Sequence, residues 1–246
     1  MNSPPRFTVI LATLLRDSYA AAVSSLRRQT FRNFEFMGRN DTGNEYLARN
    51  KGAREAHADW LVFMDDDEVA PPGWLQRLDA TLRAKPDLVA VSGPLRGNMF
   101  GSGVILVDHP GWWIGGDLAV RKDVFLELGG FEETWGLGRV PRGWRADSSL
   151  GFSIEERYPN RWLHDGAWVM DHPGRMQSQW DPEVEDVFFN RWRRQYLERF
   201  IPVDPRGCQF LLETQILSNE ERAQVLRARK ELRKAMPGLP VLPQEA

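Results

Sequence analysis

Trp60-Leu61-Val62-Phe63-Met64-Asp65-Asp66-Asp67-Glu68 sets an apolar run directly against four acids. A short apolar run closed by polar residues reads as a buried strand, here Trp60 to Met64. Toward the amino terminus, Glu45 to His57 has a helical pattern and Phe34 to Met37 reads as a short strand. Ser18 is placed to cap a helix running to about Arg28, and Phe7 to Leu14 is a further aliphatic and β-branched strand. Toward the carboxyl terminus, Pro71-Pro72-Gly73 starts a helix to about Ala84, and Leu88 to Val91 returns as a strand. Strands alternating with helices through residue 92 predict an α/β fold whose mainly parallel sheet is covered by helices on both faces. Ligands of such sheets bind beyond the carboxyl ends of the strands, so chemistry is expected after Leu14, Met37 and Met64.

The third of these segments carries the acids. Carboxylates side by side repel one another unless solvent or a cation takes up their charge. Hard oxygen donors suit Mg²⁺ or Mn²⁺, which also accept phosphate oxygens and water. A solvated acidic turn ahead of Pro71 is the competing reading, and the position at a strand's carboxyl end favours the cation.

Composition narrows the function classes. The 246 residues are 42% hydrophobic and 27% charged, which predicts an ordinary packed core. Lys and Arg number 32 against 34 Asp and Glu, so the chain lacks the basic excess of a dedicated nucleic-acid binder. The single Cys208 allows neither an intrachain disulfide nor a thiolate zinc cluster, which fits a reducing, cytoplasmic setting. The apolar run Phe7 to Leu15 falls short of the about 20 residues that a membrane-spanning helix needs.

Beyond residue 92 the pattern is less regular. Gly103 to Val107 and Trp112 to Val120 read as strands, Lys122 to Leu128 as a helix stopped by Gly129-Gly130, and Ala146 to Glu156 as a helix. From Pro182 the chain reads as helices broken near Pro202 and Pro205, with a charged final helix from Ser218 to about Met236 and a loose tail. Trp192, Tyr196 and Phe200 share a face at spacing four, interleaved with Arg191, Arg193, Arg194 and Arg199. Such a stripe either packs against a domain or gives peripheral membrane contact through 188–201.

Several ordered motifs carry a resemblance. Phe63-Met64-Asp65-Asp66-Asp67 resembles the acidic motif of GT-A fold glycosyltransferases, particularly the inverting family-two group. Thr8 to Leu14 resembles that family's first strand, Gln29-Thr30-Phe31 its turn before the second strand, and Ala48-Arg49-Asn50-Lys51-Gly52 its helix before the acidic strand. Gly115-Gly116-Asp117-Leu118-Ala119-Val120-Arg121-Lys122 and Gly129-Gly130-Phe131-Glu132 resemble its acceptor-side segment.

This resemblance, over about residues 7 to 157, implies a GT-A, Rossmann-like domain at 1–180, with a nucleotide-binding half at 1–92 and an acceptor-side half at 93–180. A helical extension follows at 181–246. The implied activity is metal-dependent, inverting transfer of one sugar from a nucleotide-diphospho sugar to a hydroxyl acceptor, whether saccharide, lipid-linked or small molecule. Asp67 would hold Mn²⁺ or Mg²⁺ with His172, for which His164 competes. Thr13, Asp41, Arg49, Asp65 and Asp66 would contact the nucleotide, Gly116, Asp117 and Trp144 the acceptor, and Asp147 would be the base. Without the resemblance, Asp147 also reads as an ordinary helix cap. Where the family's first strand ends Pro-Thr-Tyr-Asn, this chain has Ala12-Thr13-Leu14-Leu15. The Gln-x-x-Arg-Trp signature of processive synthases is missing, which favours single transfer. A nucleotidyltransferase and a non-catalytic sugar-binding scaffold are the alternatives. The first lacks a glycine-rich, basic phosphate loop after strand one.

Overall fold

The computed structural model describes residues 4–13, 15–40, 44–97, 104–109, 112–135, 145–173, 181–214 and 216–236. The chain divides into two compact units, Met1–Trp180 and Asp181–Ala246.

In the first unit the elements run β1 (Phe7–Ala12), α1 (Tyr19–Arg27), β2 (Phe34–Arg39), α2 (Glu45–Glu55), β3 (Trp60–Asp65), α3 (Trp74–Ala84) and β4 (Ala90–Ser92). Then come β5 (Leu95–Gly97), β6 (Ile105–Val107), β7 (Leu118–Arg121), α4 (Lys122–Glu127), a 3₁₀ turn at Glu133–Trp135, α5 (Ala146–Arg157), β8 (Trp162–His164) and β9 (Met170–His172). The main sheet has the order β2-β1-β3-β7-β4-β8. β1 pairs parallel with β2 and β3, and β4 with β8, while β7 runs antiparallel between β3 and β4. Every residue of β1 is buried, as expected of a central strand covered on both faces, whereas the edge strand β2 leaves Phe36 exposed. Leu75, Leu78 and Leu82 of α3 pack with Val9, Leu11, Val62 and Met64 in the core.

A second, three-stranded sheet has the order β6-β5-β9. It is joined to the end of β3 by a bridge in which Val69 N donates to Asp171 O at 2.7 Å and Asp171 N to Val69 O at 3.3 Å. Between α4 and the 3₁₀ turn, Gly129 and Gly130 take φ values of 84° and 74°, which side chains disfavour. The following Phe131 exchanges backbone hydrogen bonds with the side-chain amide of Asn50, fastening this segment to α2.

Most alternating elements appear where the pattern predicts them. The strand expected over Trp112 to Val120 contracts to β7, because Asp117 N turns back onto Ile114 O at 3.1 Å. The strand expected over Leu88 to Val91 shifts to Ala90–Ser92. β5, β8 and β9 were not expected: three residues carry too short a pattern to read. Leu14, Asp41, Gly103, Trp144 and the tail from 237 lie outside the described residues.

The second unit contains α6 (Pro182–Arg191), α7 (Arg193–Gln195), a π turn (Tyr196–Phe200), α8 (Pro205–Glu213) and α9 (Asn219–Ala235). Asp181 and Asp204 cap α6 and α8 by accepting from the backbone N–H groups of Glu183 and Arg206. Ser218 and Glu221 form a capping box at α9. Phe188, Trp192, Tyr196 and Phe200 are all buried, with Tyr196 and Phe200 stacked at 5.4 Å and Tyr196 Oη donating to Glu185 at 2.7 Å. The aromatic face of 188–201, expected either to pack against protein or to meet a membrane, packs within the helical unit. Among the described residues, no helix is long and apolar enough to cross a membrane.

Candidate functional site

The parallel pairing of β1 with β3 sets Ala12 opposite Asp65, so the residues after each strand run side by side. Thr13 Oγ1 donates to Asp66 Oδ2 at 2.8 Å and accepts from Leu15 N at 2.7 Å. Leu15, at φ 58°, turns the chain so that Arg16 comes back over the acids. Arg16 Nη2 donates to Asp66 Oδ1, and Nη1 stands 3.3 Å from Asp67 Oδ2. Asp66 is fully buried. The Thr13 hydroxyl and the Asp66 carboxylate, both expected at the nucleotide, bond to each other and so tie the ends of β1 and β3 together.

Asp65 is the more open carboxylate, and Arg49 of α2 donates to it. The Arg49 guanidinium is buried over the rings of Tyr46 and Phe131, at 5.7 and 5.3 Å. Burial is the largest single influence and opposes its charge, but Asp65, Tyr46, Glu45 and Asp147 together outweigh it and raise its pKa above the ordinary arginine value. The same guanidinium reaches Gly115, where a β-carbon would lie 2.7 Å from Nη1 and 3.4 Å from Asp147 Cβ. Asp147 sits in the first turn of α5, after Arg145 as the capping residue. Its Oδ2 accepts Gly115 N–H at 3.0 Å and its Oδ1 accepts Ser148 N–H at 2.7 Å. Burial pushes its pKa up to about 6 despite these bonds and the nearby Arg49 and Arg145. Asp147 is thus not the capping residue of α5, whose cap position Arg145 holds without a side-chain hydrogen bond.

Asp67 lies in the turn after β3. The bridge of Val69 to Asp171 brings the neighbouring His172 to it, with Nε2 3.5 Å from Asp67 Oδ1. Burial and the adjacent Asp65 raise the Asp67 pKa, against the pull of His172 and Arg16. A carboxylate oxygen and an imidazole nitrogen converging here form a donor set that Mn²⁺ or Mg²⁺ accepts, and the strained acid charge gives a cation a reason to bind. Among the described residues, no group of three or more His, Cys, Asp or Glu is arranged to hold a metal alone, so other ligands would have to come from substrate and water. Beneath the turn, Glu68 accepts Asp65 N–H at 2.8 Å through Oε2, while Oε1 is buried without a partner. Burial, foremost, and Asp65 raise its pKa well above the ordinary carboxylate range.

Other expected residues lie elsewhere. Gly116 is buried against Glu68, whose Oε1 would be 2.0 Å from a β-carbon there. Asp117 is fully buried under Trp74, whose indole N–H donates to it at 2.9 Å. Gly116 and Asp117, both expected at the acceptor, are thus buried among Glu68 and Trp74. His164 is held by Asp108 at 2.5 Å and Ser92 at 3.1 Å, so His172 is the histidine that meets Asp67. Trp113 is buried, donating to Glu155 at 2.8 Å. An open cavity of about 580 Å³ at the opposite end of β3, where Trp60 stands, has its cations occupied: Arg6 by Asp79, Arg121 by Asp123, and Lys122 by backbone carbonyls. Arg16 was not anticipated in any role, and Glu68 only as one of the four acids; the parallel pairing of β1 with β3 is the signal that points to Arg16.

Residues 39–128 match the glycosyl transferase family 2 model. An uncharacterised glycosyltransferase of Haemophilus influenzae is 26% identical over 148 residues, 45% of this chain and 50% of the relative. The chain thus spans about half the length of that curated relative. S. aureus TarS 1–349 in complex with UDP-GlcNAc superposes with a TM-score of 0.58 at 14% identity, covering 94% of this chain and 82% of that one. The mannosyltransferase PcManGT of Pyrobaculum calidifontis, in complex with GDP-Man and Mn²⁺, superposes with a TM-score of 0.54 at 15% identity, covering 98% and 78%. The expected fold is therefore the observed one: the chain has a GT-A fold, and residues 39–128 are similar to glycosyl transferase family 2.

Proposed function

We propose that the protein transfers a single sugar, with inversion, from a nucleotide-diphospho sugar to a hydroxyl acceptor. The observation that carries the reading is the convergence, at the carboxyl end of β3, of Asp67 with His172 and of Asp65 with Arg49 and Asp147. Asp67 and His172 would hold Mn²⁺ or Mg²⁺. When bound, such an ion stabilises the negative charge of the leaving diphosphate as a Lewis acid. Asp65 contacts the nucleotide, oriented by Arg49 above it and by Glu68 through its backbone N–H. Asp147 takes the acceptor hydroxyl proton, a task suited to a carboxylate whose affinity for protons has been raised. The N–H groups of Gly115 and Ser148 hold that carboxylate in one orientation.

The complexes of TarS with UDP-GlcNAc and of PcManGT with GDP-Man and Mn²⁺ support a nucleotide-sugar donor and a divalent ion for this chain. The test is release of nucleoside diphosphate from a panel of donors with Mn²⁺ and mixed hydroxyl acceptors, comparing wild type with Asp67→Ala. Release by wild type alone is the expected result. Equal background from both proteins would overturn the reading in favour of a non-catalytic scaffold.

A further inference from the structure

Arg16 places a cation where the divalent ion is expected. Its guanidinium spans both acids after β3, with Nη2 on Asp66 and Nη1 3.3 Å from Asp67 Oδ2. The two oxygens of Asp67 are thus divided, Oδ1 toward His172 and Oδ2 toward Arg16. The partners differ in how firmly they are held. Asp66 is fully buried and keeps the Thr13 hydroxyl as a second donor, whereas the Arg16 side chain is 52% exposed and Asp67 27% exposed. The contact to Asp67 is therefore the one that can open, with little protein to rearrange.

Two physical consequences follow from this arrangement. A guanidinium and a divalent ion compete for one carboxylate and repel each other, so Arg16 opposes binding of the ion by itself. A diphosphate reverses the balance, because a guanidinium grips phosphate oxygens with the same fork it uses for carboxylates.

We propose that Arg16 is the diphosphate-gripping residue of this site and its stand-in cation: it neutralises Asp66 and Asp67 in the empty protein, yields Asp67 to the metal, and turns to the donor's diphosphate. Metal and donor then bind together better than either binds alone. This rests on the donor-site reading above, and it assigns a residue to diphosphate recognition within that site.

The test measures two affinities in the full chain for wild type, Arg16→Gln and Arg16→Lys. Mn²⁺ binding to the protein alone is followed by the electron paramagnetic resonance signal of free Mn²⁺. Binding of UDP, GDP, TDP, CDP and ADP at a fixed Mn²⁺ concentration is followed by calorimetry. Arg16→Gln should bind Mn²⁺ alone about tenfold tighter and its preferred nucleoside diphosphate about tenfold weaker. Arg16→Lys keeps the charge without the fork, so its Mn²⁺ affinity stays near wild type and its nucleoside diphosphate affinity falls less. Opposite signs are what a merely structural role cannot produce, since a damaged site loses both ligands. If wild type binds both ligands and Arg16→Gln matches it, or shifts both affinities in one direction, the latch is overturned and the donor reading stands. Should wild type bind neither Mn²⁺ nor any of the nucleoside diphosphates, both fall.

Discussion

Gly115 donates its backbone N–H to Asp147 Oδ2 at 3.0 Å, and this one bond ties the loop before β7 to the first turn of α5. It fixes the orientation of a carboxylate whose pKa burial has raised to about 6. A base must be deprotonated to act, so kcat/KM should fall about tenfold per pH unit below 6 and level off above it. Asp147→Asn should lower kcat by about 10²- to 10⁴-fold and abolish that acid limb. A pH–rate profile of both proteins checks this.

The same shift has a stability consequence of opposite sign. Asp147 binds its proton more tightly folded than unfolded, so its contribution to stability is fully present below the ordinary carboxylate pKa of 3.8 and lost as pH rises through about 6. Relative to wild type, Asp147→Asn, which never carries the buried charge, should gain about 3 kcal/mol of stability between pH 4 and pH 7. At pH 4 the two should differ little. Denaturant titrations at the two pH values would show it.

Arg49 is one of the charges that hold the Asp147 pKa down. Arg49→Met keeps the apolar stem over Tyr46 and Phe131 but removes the charge. The acid limb of the rate profile should then move above pH 6, and the affinity for donor should fall as Asp65 loses its partner. A profile that keeps its midpoint would show that Arg49 and Asp147 are not coupled.

Gly116→Ala would set a β-carbon 2.0 Å from Glu68 Oε1, so that this buried carboxylate would have to shift. Overpacking of this kind costs about 2 kcal/mol. Glu68 would also lose its hold on Asp65 N–H. Both a lower melting temperature and weaker nucleoside diphosphate binding are expected, measured by calorimetry.

In the helical unit, Arg193 holds the Glu221 pKa down to about 2, helped by the Ser218 bonds of the capping box. A lowered folded pKa contributes stability above the ordinary value of 4.5 that is lost as pH falls through about 2. Glu221→Gln should melt earlier than wild type at pH 7, with the gap closing toward pH 2. Circular dichroism melts across that range test the trend.

The alternation of elements through α3 was legible because β1 and β3 are runs of buried apolar residues and the helices between the strands carry boundary signals. Asn44, for example, caps α2 by accepting Leu47 N–H at 2.9 Å. The acidic motif, its place after β3 and the candidate base Asp147 were legible on the same terms together with the family resemblance. β5, β8 and β9 were not, since three residues hold no period to read. The burial of Gly116 and Asp117 was not legible for a related reason: a motif shows which residues stand together but not which of them face inward.

By itself, then, the chain determined where strands and helices form and that acids close β3, because these follow from near-neighbour patterns of polarity and turn chemistry. Only the tertiary structure decided that Asp66 is buried while Asp67 meets His172, and that Arg16 lies over both. Those relations depend on the pairing of β1 with β3 and of Val69 with Asp171, contacts between segments far apart in sequence that no local pattern encodes.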